Sequence, residues 1–324
     1  MSNARLQQAI TAVLAALALG WALYWLGQEG QRSLALWAAL VPLVHAPVLA
    51  LELIWAGCVA RQGPARLEKG GPPNATEPLP SLGLWVRAWA RETVEGIRVF
   101  GWHQPWAHPW QADHLPGEGR RGVLLVHGYL CNRGFWNPWM RRLGQAGIPF
   151  VAVSLGPPRA GLDEQMRGLD AAWQRLKAST GMTPLVVGHS MGGLLIRRWL
   201  SMQPTDFAVQ QEVITLGSPH HGTALARLGR SQAARQMRVQ SPLLQEIMRC
   251  ETESRLQRFT CYWSVCDNVV FPASHATLSG ARNIHVPARA HIDLSRSPQV
   301  LADVLARLGG EGCPGSKSAQ RGQV

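Results

Sequence analysis

The second half of the chain alternates short apolar runs with longer segments whose apolar residues recur at helical spacing. Short apolar runs bounded by turn residues favour buried strands, and the longer periodic segments favour amphipathic helices. This alternation predicts an α/β fold with a doubly wound, mostly parallel sheet. The predicted strands are 122–126, 149–154, 184–187, 212–216, 260–264 and 283–286, and the predicted helices are 136–144, 162–178, 191–202 and 298–308.

The N-terminal region has a different pattern. Residues 9–27 carry no charge, and at about 1.5 Å per residue a helix of this length reaches across the roughly 30 Å hydrocarbon core of a bilayer. A second apolar run, 34–51, is long enough to span, although His45 and two prolines interrupt it. The few polar residues between the runs, 28–32, allow only a tight hairpin. We therefore predict a two-helix transmembrane hairpin as a membrane anchor over residues 1–61; a cleaved signal peptide is the alternative, although its apolar region would be shorter.

Positive charges set the predicted orientation of this hairpin. Arg5 precedes the first apolar run and Arg61, Arg66 and Lys69 follow the second, whereas the connecting loop offers only Arg32. Because Lys and Arg are enriched on the cytoplasmic side of membranes, both ends of the hairpin are expected there. The sequence thus predicts localisation to the inner (cytoplasmic) membrane, with the rest of the chain facing the cytoplasm.

The alternating region, which we assign to residues 121–308, is flanked and interrupted by other segments. Residues 62–80 are rich in Gly and Pro and predict a linker, and residues 309–324 predict a disordered tail. Residues 81–120, which we call the arm, combine helical spacing with many tryptophans. Such clustering suits a membrane interface, a substrate groove or a packing seam against the main domain. Residues 224–254 exceed an ordinary connection and predict a lid or cap.

The predicted lid combines basic and apolar positions. Its arginines recur at roughly one helical turn, and its later apolar residues supply a second face. This combination suits a lid lying on an anionic bilayer or, alternatively, a solvated helical cap over a soluble substrate. The arginines are Arg227, Arg230, Arg235 and Arg238, and the apolar residues are Leu243, Leu244, Ile247 and Met248.

Composition narrows the classes of function. Hydrophobic residues make up 46% and charged residues 16% of the 324, which excludes wholesale disorder. The net charge of +12 comes from scattered arginines rather than from a basic block, so no nucleic-acid partner is expected. The six cysteines include no Cys-x-x-Cys pair, so no metal site is expected.

The strongest chemical signal is the sequence GHSMGG at 188–193, between a predicted strand and a predicted helix. A G-x-S-x-G turn in this context is a nucleophile elbow, which exposes Ser190 above the sheet at a helix N-terminus. Gly188 and Gly192 permit the close backbone approach that such a turn requires. Ser190 is therefore the predicted nucleophile.

An acyl-transfer serine also needs two aimed N–H donors, because negative charge develops on the carbonyl oxygen of the substrate. The amide of Met191, directly after the nucleophile, is the first predicted donor. The second is expected in the loop after the first strand, where we choose the amide of Tyr129. His127 and Gly128 are predicted to support this loop.

The catalytic acid is expected beyond the end of a strand that follows the nucleophile in the chain. Asp267 comes directly after the predicted strand 260–264 and is the predicted acid. Asp293 and Asp163 are weaker candidates, because neither directly follows a core strand.

The catalytic base is expected after the acid, and His291 lies between the last predicted strand and the last predicted helix. We therefore predict His291 as the base. His220 and His221 follow another predicted core strand and are the competing candidates.

Three motifs resemble those of α/β-hydrolases of the bacterial triacylglycerol-lipase kind: VHGY at 126–129, GHSMGG at 188–193 and LGSPHHGT at 216–223. The full chain is also similar to membrane-anchored proteins of proteobacteria that are labelled variously as hydrolases, lipases or permeases. The resemblance implies a serine hydrolase. In such lipases the PHHGT turn supports the pocket, and here that role would pass to Pro219, His221 and Gly222.

We therefore expect a membrane-anchored esterase or lipase that cleaves acyl esters through Ser190, Asp267, His291 and an acyl-enzyme. The expected partners are an acyl ester or lipid substrate and membrane lipids, no cofactor is expected, and protein partners stay open. Thioesterase, peptidase or acyltransferase activity would use the same groups. The alternative from another class is a noncatalytic membrane or transporter-accessory protein that retains the fold.

Overall fold

The computed structural model describes residues 3–26, 51, 54, 80–157 and 160–309. Its centre is a six-stranded sheet in which every neighbouring pair of strands is parallel. This is the predicted doubly wound arrangement, and each predicted strand is present with its ends displaced by no more than about two residues, as is usual for strand boundaries. The strands are β1 (Val123–Val126), β2 (Phe150–Ala152), β3 (Leu185–His189), β4 (Val213–Leu216), β5 (Phe259–Trp263) and β6 (Arg282–His285).

Helices connect the strands and precede the sheet, and the four helices predicted between strands and at the end of the domain are all observed. A π-helix, Ile97–His103, continues the second α-helix without a break. The α-helices are α1 (Asn3–Leu26), α2 (Leu82–Gly96), α3 (Asn137–Gln145), α4 (Leu162–Thr180), α5 (Met191–Ser201), α6 (Thr205–Ala208), α7 (Gln232–Gln236), α8 (Pro242–Arg249), α9 (Glu253–Leu256) and α10 (Pro298–Arg307). Short 3-10 helices occupy Arg133–Trp136, Ala224–Leu228, Ala273–Ala276 and Asp293–Arg296.

Both faces of the central strands are covered, which explains why β1 to β5 are buried along their whole length, whereas the edge strand β6 is partly exposed. On β1, Leu124 and Val126 join the core that α4 and α5 form on one face. Val123 and Leu125 point to the other face and join the core formed with α3 and α10. The sheet therefore separates two apolar layers and holds its own strands rigidly between them.

The strands lie in the order β2-β1-β3-β4-β5-β6, so the chain places β2 on one side of β1 and all later strands on the other side. At such a point the loops that follow neighbouring strands diverge and leave a crevice at the carboxyl edge of the sheet. The register aligns this edge, because Val126 pairs with Gly188 and His189 pairs with Leu216. The segments that follow β1, β3 and β4 consequently start side by side.

The helical spacing predicted for the arm is observed in α2 and the following π-helix. The arm packs against the loops at the carboxyl edge of the sheet: Ala88 lies in an apolar cluster with Cys266 and Ala290. Trp85 contacts the same cluster, so part of the arm is a packing seam. Three tryptophans further along the arm are instead exposed, namely Trp102, Trp106 and Trp110.

The predicted membrane anchor is described only in part. Residues 9–26 of the first apolar run lie in α1. The hairpin loop, the second run and the linker fall outside the described residues except for residues 51, 54 and 80, and the predicted tail does so except for residue 309. Among the described residues, the structure has no helix with the length and apolar character needed to cross a membrane. The start of α1 contacts the arm, where Gln8 Nε2 donates to the carbonyl of Pro105 at 2.7 Å.

The segment 224–254 folds into a 3-10 helix, α7, α8 and the start of α9 between β4 and β5, and we call it the cap. The expectation that its apolar residues form a face for a bilayer is wrong for Leu243, Leu244 and Ile247, which are buried in the same core as α5. Met248 alone of these four is exposed. The physical reason is that α8 packs on α5, so its apolar side is already covered.

Candidate functional site

Ser190 occupies a strained turn between β3 and α5. Its φ of 55° and ψ of −129° lie in a region that residues with a side chain rarely adopt. The turn is held because the Ser190 amide donates to the carbonyl of Leu216 at 2.9 Å and the Ser190 carbonyl accepts from the amide of Gly193 at 3.0 Å. Ser190 is 7% exposed and forms the N-cap position of α5. This is the geometry expected of a nucleophile elbow.

Two glycines make this turn sterically feasible. A Cβ at Gly188 would lie 2.6 Å from Ile196 Cδ1 and 2.8 Å from the amide nitrogen of Gly193. A Cβ at Gly192 would lie 2.5 Å from the carbonyl oxygen of Val126. Any larger residue would therefore push α5 away from β1 and β3, which agrees with the sequence-based assignment of both positions.

The loop after β1 lies directly against the nucleophile. A Cβ at Gly128 would come within 2.9 Å of Ser190 Cβ, so only glycine allows the backbone to pass this close. Tyr129 follows in the same loop, and the Met191 amide is the first of α5. The two predicted N–H donors are thus on neighbouring segments that both border Ser190, and we call residues 127–132 the oxyanion loop.

His127 fixes the oxyanion loop from beneath. Its Nε2 accepts the amide of Leu155 at 3.1 Å, so its Nδ1 carries the proton that is donated to the carbonyl of Gly128 at 2.9 Å. Burial lowers the pKa of His127 to about 4, so the ring is neutral at physiological pH. A neutral, doubly bonded imidazole suits a structural pivot rather than a base.

The far end of the oxyanion loop is held by side chains from outside the sheet. Gln7 Nε2 of α1 donates to the carbonyl of Leu130 at 2.8 Å and to Gln104 Oε1 at 3.1 Å. Gln104 Oε1 also accepts the amide of Asn132 at 2.7 Å. Tyr129 itself reaches the cap, where its hydroxyl contacts Ser231 Oγ at 2.8 Å.

Asp267 and His291 form a buried pair. His291 Nδ1 lies 3.0 Å from each carboxylate oxygen of Asp267, and the two residues are 5% and 2% exposed. Asp267 Oδ1 accepts two further hydrogen bonds, from the amides of Val269 and Val270 at 2.8 Å each. A carboxylate fixed in this way orients the ring and leaves Nε2 of His291 pointing away from the pair.

This pair lies beside the elbow. Gly217 directly follows Leu216, whose carbonyl accepts the Ser190 amide. Its φ is +52°, and a Cβ at this position would lie 2.8 Å from Asp267 Oδ2 and 3.3 Å from His291 Nδ1. His189, which precedes Ser190, donates from Nε2 to the carbonyl of His291 at 3.0 Å. The structure therefore brings all three predicted catalytic residues to one place on the carboxyl edge.

The competing candidates for the base and the acid form contacts with other residues. His220 is buried, with its Nε2 2.9 Å from Thr215 Oγ1, and burial beside the Arg197 guanidinium lowers its pKa well below the ordinary value. Asp293 forms an ion pair with Arg289 at 2.7 Å. Asp163, which is half exposed, pairs with the buried Arg198.

The PHHGT turn fastens the cap to the sheet. A Cβ at Gly222, whose φ is +84°, would lie 2.6 Å from the amide nitrogen of Val239, so the turn packs backbone against backbone. His221, two residues after Pro219 in this turn, packs edge-on against His275 with 5.9 Å between the ring centroids. Burial lowers the pKa of His221 to about 4, which keeps the ring neutral. These contacts suit the supporting role expected for the turn.

Two residues at the site carry no signal in the sequence. Asn268 Oδ1 accepts the amide of His291 at 3.2 Å. Glu92 of α2 is 1% exposed, and its carboxylate accepts the amides of Ile292 and Asp293, which directly follow His291. A glutamate in an amphipathic helix is ordinarily solvent-exposed, and only the fold brings this one under the base.

Within the ranges that the structure describes, no group of three or more His, Cys, Asp or Glu side chains is arranged to hold a metal ion.

Comparison with known proteins gives a family match and solved structures with a similar fold. The model of a family described as "Alpha/beta hydrolase family" matches residues 123–304, more than half of the 324-residue chain. Mature lipase BlEst2 of Bacillus licheniformis superposes with a TM-score of 0.50 at 18% identity, covering 59% of this chain and 93% of that lipase. Lipase B of Aspergillus fumigatus gives 0.52 at 17% identity, covering 62% and 55% of the two chains. A search of curated proteins gives no match.

Proposed function

The chain belongs to the alpha/beta hydrolase family, and from this membership we propose that it is a serine hydrolase of carboxylic esters whose nucleophile, base and acid are Ser190, His291 and Asp267. The observation that carries the proposal is the buried Asp267–His291 pair beside a strained Ser190 elbow. Strain at a buried polar residue costs free energy and persists where the conformation has a use.

In the proposed reaction, His291 Nε2 removes the proton of Ser190 Oγ as this oxygen attacks the ester carbonyl. Asp267 accepts the hydrogen bond from Nδ1 and stabilises the imidazolium that forms. The amides of Met191 and Tyr129 bind the oxygen on which negative charge develops. Collapse of the tetrahedral intermediate breaks the ester C–O bond, and the alcohol leaves with the proton from Nε2.

Water completes the cycle by attacking the acyl-enzyme. His291 takes one proton from this water, the acid product is released, and the proton returns to Ser190 Oγ. We propose acyl esters, including lipids, as substrates, a class supported by the two lipases that share this fold. The cap, which Tyr129 contacts through Ser231, is the element that would border the acyl chain.

We also propose that the N-terminal hairpin anchors the enzyme in the inner membrane, with the catalytic domain on the cytoplasmic side. The charge-free run 9–27 and the arginines that flank the predicted hairpin support this.

Labelling with a fluorophosphonate probe tests the proposed function. The full chain should be labelled on the peptide that contains Ser190, because the probe reacts with an activated serine. Ser190→Ala should remove the label, whereas Ser201→Ala, at the other end of α5, should keep it. Absence of labelling and ester turnover in the wild-type chain would favour the noncatalytic alternative, and labelling of the Ser190→Ala protein would show that the nucleophile is misassigned.

A further inference from the structure

Glu92 lies outside the region that matches the family, yet it contacts the backbone next to the proposed base. Its Oε1 accepts the amide of Ile292 at 2.9 Å, and its Oε2 accepts the amides of Ile292 and Asp293 at 3.0 and 2.9 Å. Ile292 is the residue directly after His291. The carboxylate therefore closes a clamp on the turn that carries the imidazole.

The backbone of His291 is fixed from three sides. Its amide donates to Asn268 Oδ1 at 3.2 Å, and its carbonyl accepts from His189 Nε2 at 3.0 Å. Glu92 supplies the contacts on the C-terminal side. Asn268 follows the proposed acid and His189 precedes the proposed nucleophile, so Glu92 is the member of this set that comes from the arm.

The arm is packed so that Glu92 cannot turn away. One turn earlier in α2, Ala88 is completely buried in a cluster with Cys266 and Ala290, the residues that directly precede Asp267 and His291. One turn later, Glu95 pairs with Arg296 Nε at 3.1 Å. The segments that carry the acid and the base thus rest on α2 around this carboxylate.

A buried carboxylate is an unfavourable group with which to attach a helix. Removing a charge from water carries a large desolvation penalty, and apolar residues of the same volume often serve equally well or better in a purely structural role. All three contacts to Glu92 are N–H donors, which favour the charged form, whereas burial disfavours it and raises the pKa of Glu92 to about 7. The charged groups that face it are His291, Asp267 and Arg296.

We propose that Glu92 is a positioning residue for the general base: it fixes the backbone after His291 so that the imidazole lies between Asp267 and Ser190, and its charge stabilises the imidazolium. This inference rests on the proposed ester hydrolysis. The imidazolium forms only when Ser190 loses its proton, so the negative charge of Glu92 acts mainly on the transition state, and its loss should lower kcat rather than raise KM.

The test compares Glu92→Gln with Glu95→Gln in the full chain, using a short soluble ester. The two substitutions remove the same charge one turn apart on α2, but Glu95 touches arginines and not the turn after His291. We expect Glu92→Gln to lower kcat by up to about 100-fold, the size of effect that a misplacement near 1 Å produces, with little change in KM. Glu95→Gln should retain most of the wild-type kcat.

The pH profile distinguishes positioning from simple support. In the wild type, activity on the acid side requires both His291 and Glu92 to lose a proton. Glu92→Gln removes one of these ionisations and the attraction for a protonated imidazole, so the acid limb of kcat/KM should become shallower and move to lower pH. A residue that only supports the fold would lower activity and leave the limb in place.

Three results would overturn the inference: an unchanged kcat in Glu92→Gln, an unchanged acid limb, or an equal loss in Glu95→Gln. If Glu92→Gln fails to fold, Glu92→Asp carries the test, because it keeps the charge on a shorter side chain. It should keep the wild-type acid limb at reduced kcat, and an undiminished kcat would again overturn the inference. Wild-type labelling and turnover are measured first, so failure here with an active wild type leaves the proposed function intact.

Discussion

The matched domain and the N-terminal segments supply different kinds of groups to the same site. The domain, residues 123–304, supplies the groups proposed to react, and each lies in a segment that follows a strand at the carboxyl edge of the sheet. The arm and α1 supply polar side chains that form hydrogen bonds with the backbone. Glu92 accepts the amide of Ile292, Gln104 accepts the amide of Asn132, and Gln7 donates to the carbonyl of Leu130.

The two regions therefore contribute to the site in different ways. Ser190 directly follows β3, and its amide continues the ladder of the sheet by donating to Leu216. Loops have no such ladder, and their backbone groups need other partners. The N-terminal segments provide those partners for the oxyanion loop and for the turn after His291, which makes the site depend on residues that carry no chemistry themselves.

The largest effect is expected within the domain, at the base. His291→Ala should lower kcat by about 10⁶-fold, because in studied triads loss of the histidine costs nearly as much as loss of the whole set. His221→Ala, which removes a neutral histidine of the PHHGT turn, should retain measurable turnover. Steady-state kinetics on a soluble ester checks both, and the reverse ranking would show that the base is misassigned.

The acid should give the second largest effect. Asp267→Asn keeps Oδ1 for the amides of Val269 and Val270 but favours the wrong tautomer of His291, which lowers kcat by about 10⁴-fold in the studied case. Asp293→Asn breaks an ion pair with Arg289 and should leave most of the activity. Equal losses in the two variants would remove Asp267 from its proposed role.

The contrast also explains what the sequence can predict. GHSMGG is a local signal, since turn, nucleophile and first donor lie within a few residues, and Asp267 and His291 follow from chain order after strands that their periodicity reveals. Glu92 bonds a residue 200 positions away, and no local pattern encodes such a contact. The apolar face of α8 is visible in the sequence, but periodicity does not say what covers it, and the structure shows that α5 does.

The two regions should also differ in how pH affects stability. The raised pKa of Glu92, about 7 against 4.5, means that its contribution to stability is present below pH 4.5 and is lost as pH rises through about 7. His127 and His221 act oppositely: with pKa values lowered from 6.5 to about 4, their contribution is present above pH 6.5 and is lost as pH falls through about 4.

Denaturant unfolding of the wild type and Glu92→Gln separates these contributions. The free energy of unfolding of Glu92→Gln relative to wild type should increase by on the order of 3 kcal/mol between pH 4 and pH 8, because only the wild type bears the growing cost of the buried charge. The histidines are common to both proteins and cancel in the difference. A difference that does not vary with pH would contradict the assigned ionisation.

The smallest effect is expected where α1 meets the oxyanion loop, and two neighbouring glutamines make a matched comparison. Gln7 bonds the carbonyl of Leu130, next to the proposed donor Tyr129, whereas Gln8 bonds the carbonyl of Pro105 in the arm. Gln8→Ala loses this one hydrogen bond, whereas Gln7→Ala loses the bond to Leu130 together with its contacts to the side chains of Gln104 and Asn132. One such bond contributes about 1 kcal/mol, so Gln7→Ala should lower kcat by about fivefold if the bond holds the loop in its catalytic position. Gln8→Ala should leave kcat unchanged. Equal kcat values in the two variants would mean that α1 only rests on the domain, and the dependence of the site on the N-terminal segments would then be confined to the arm.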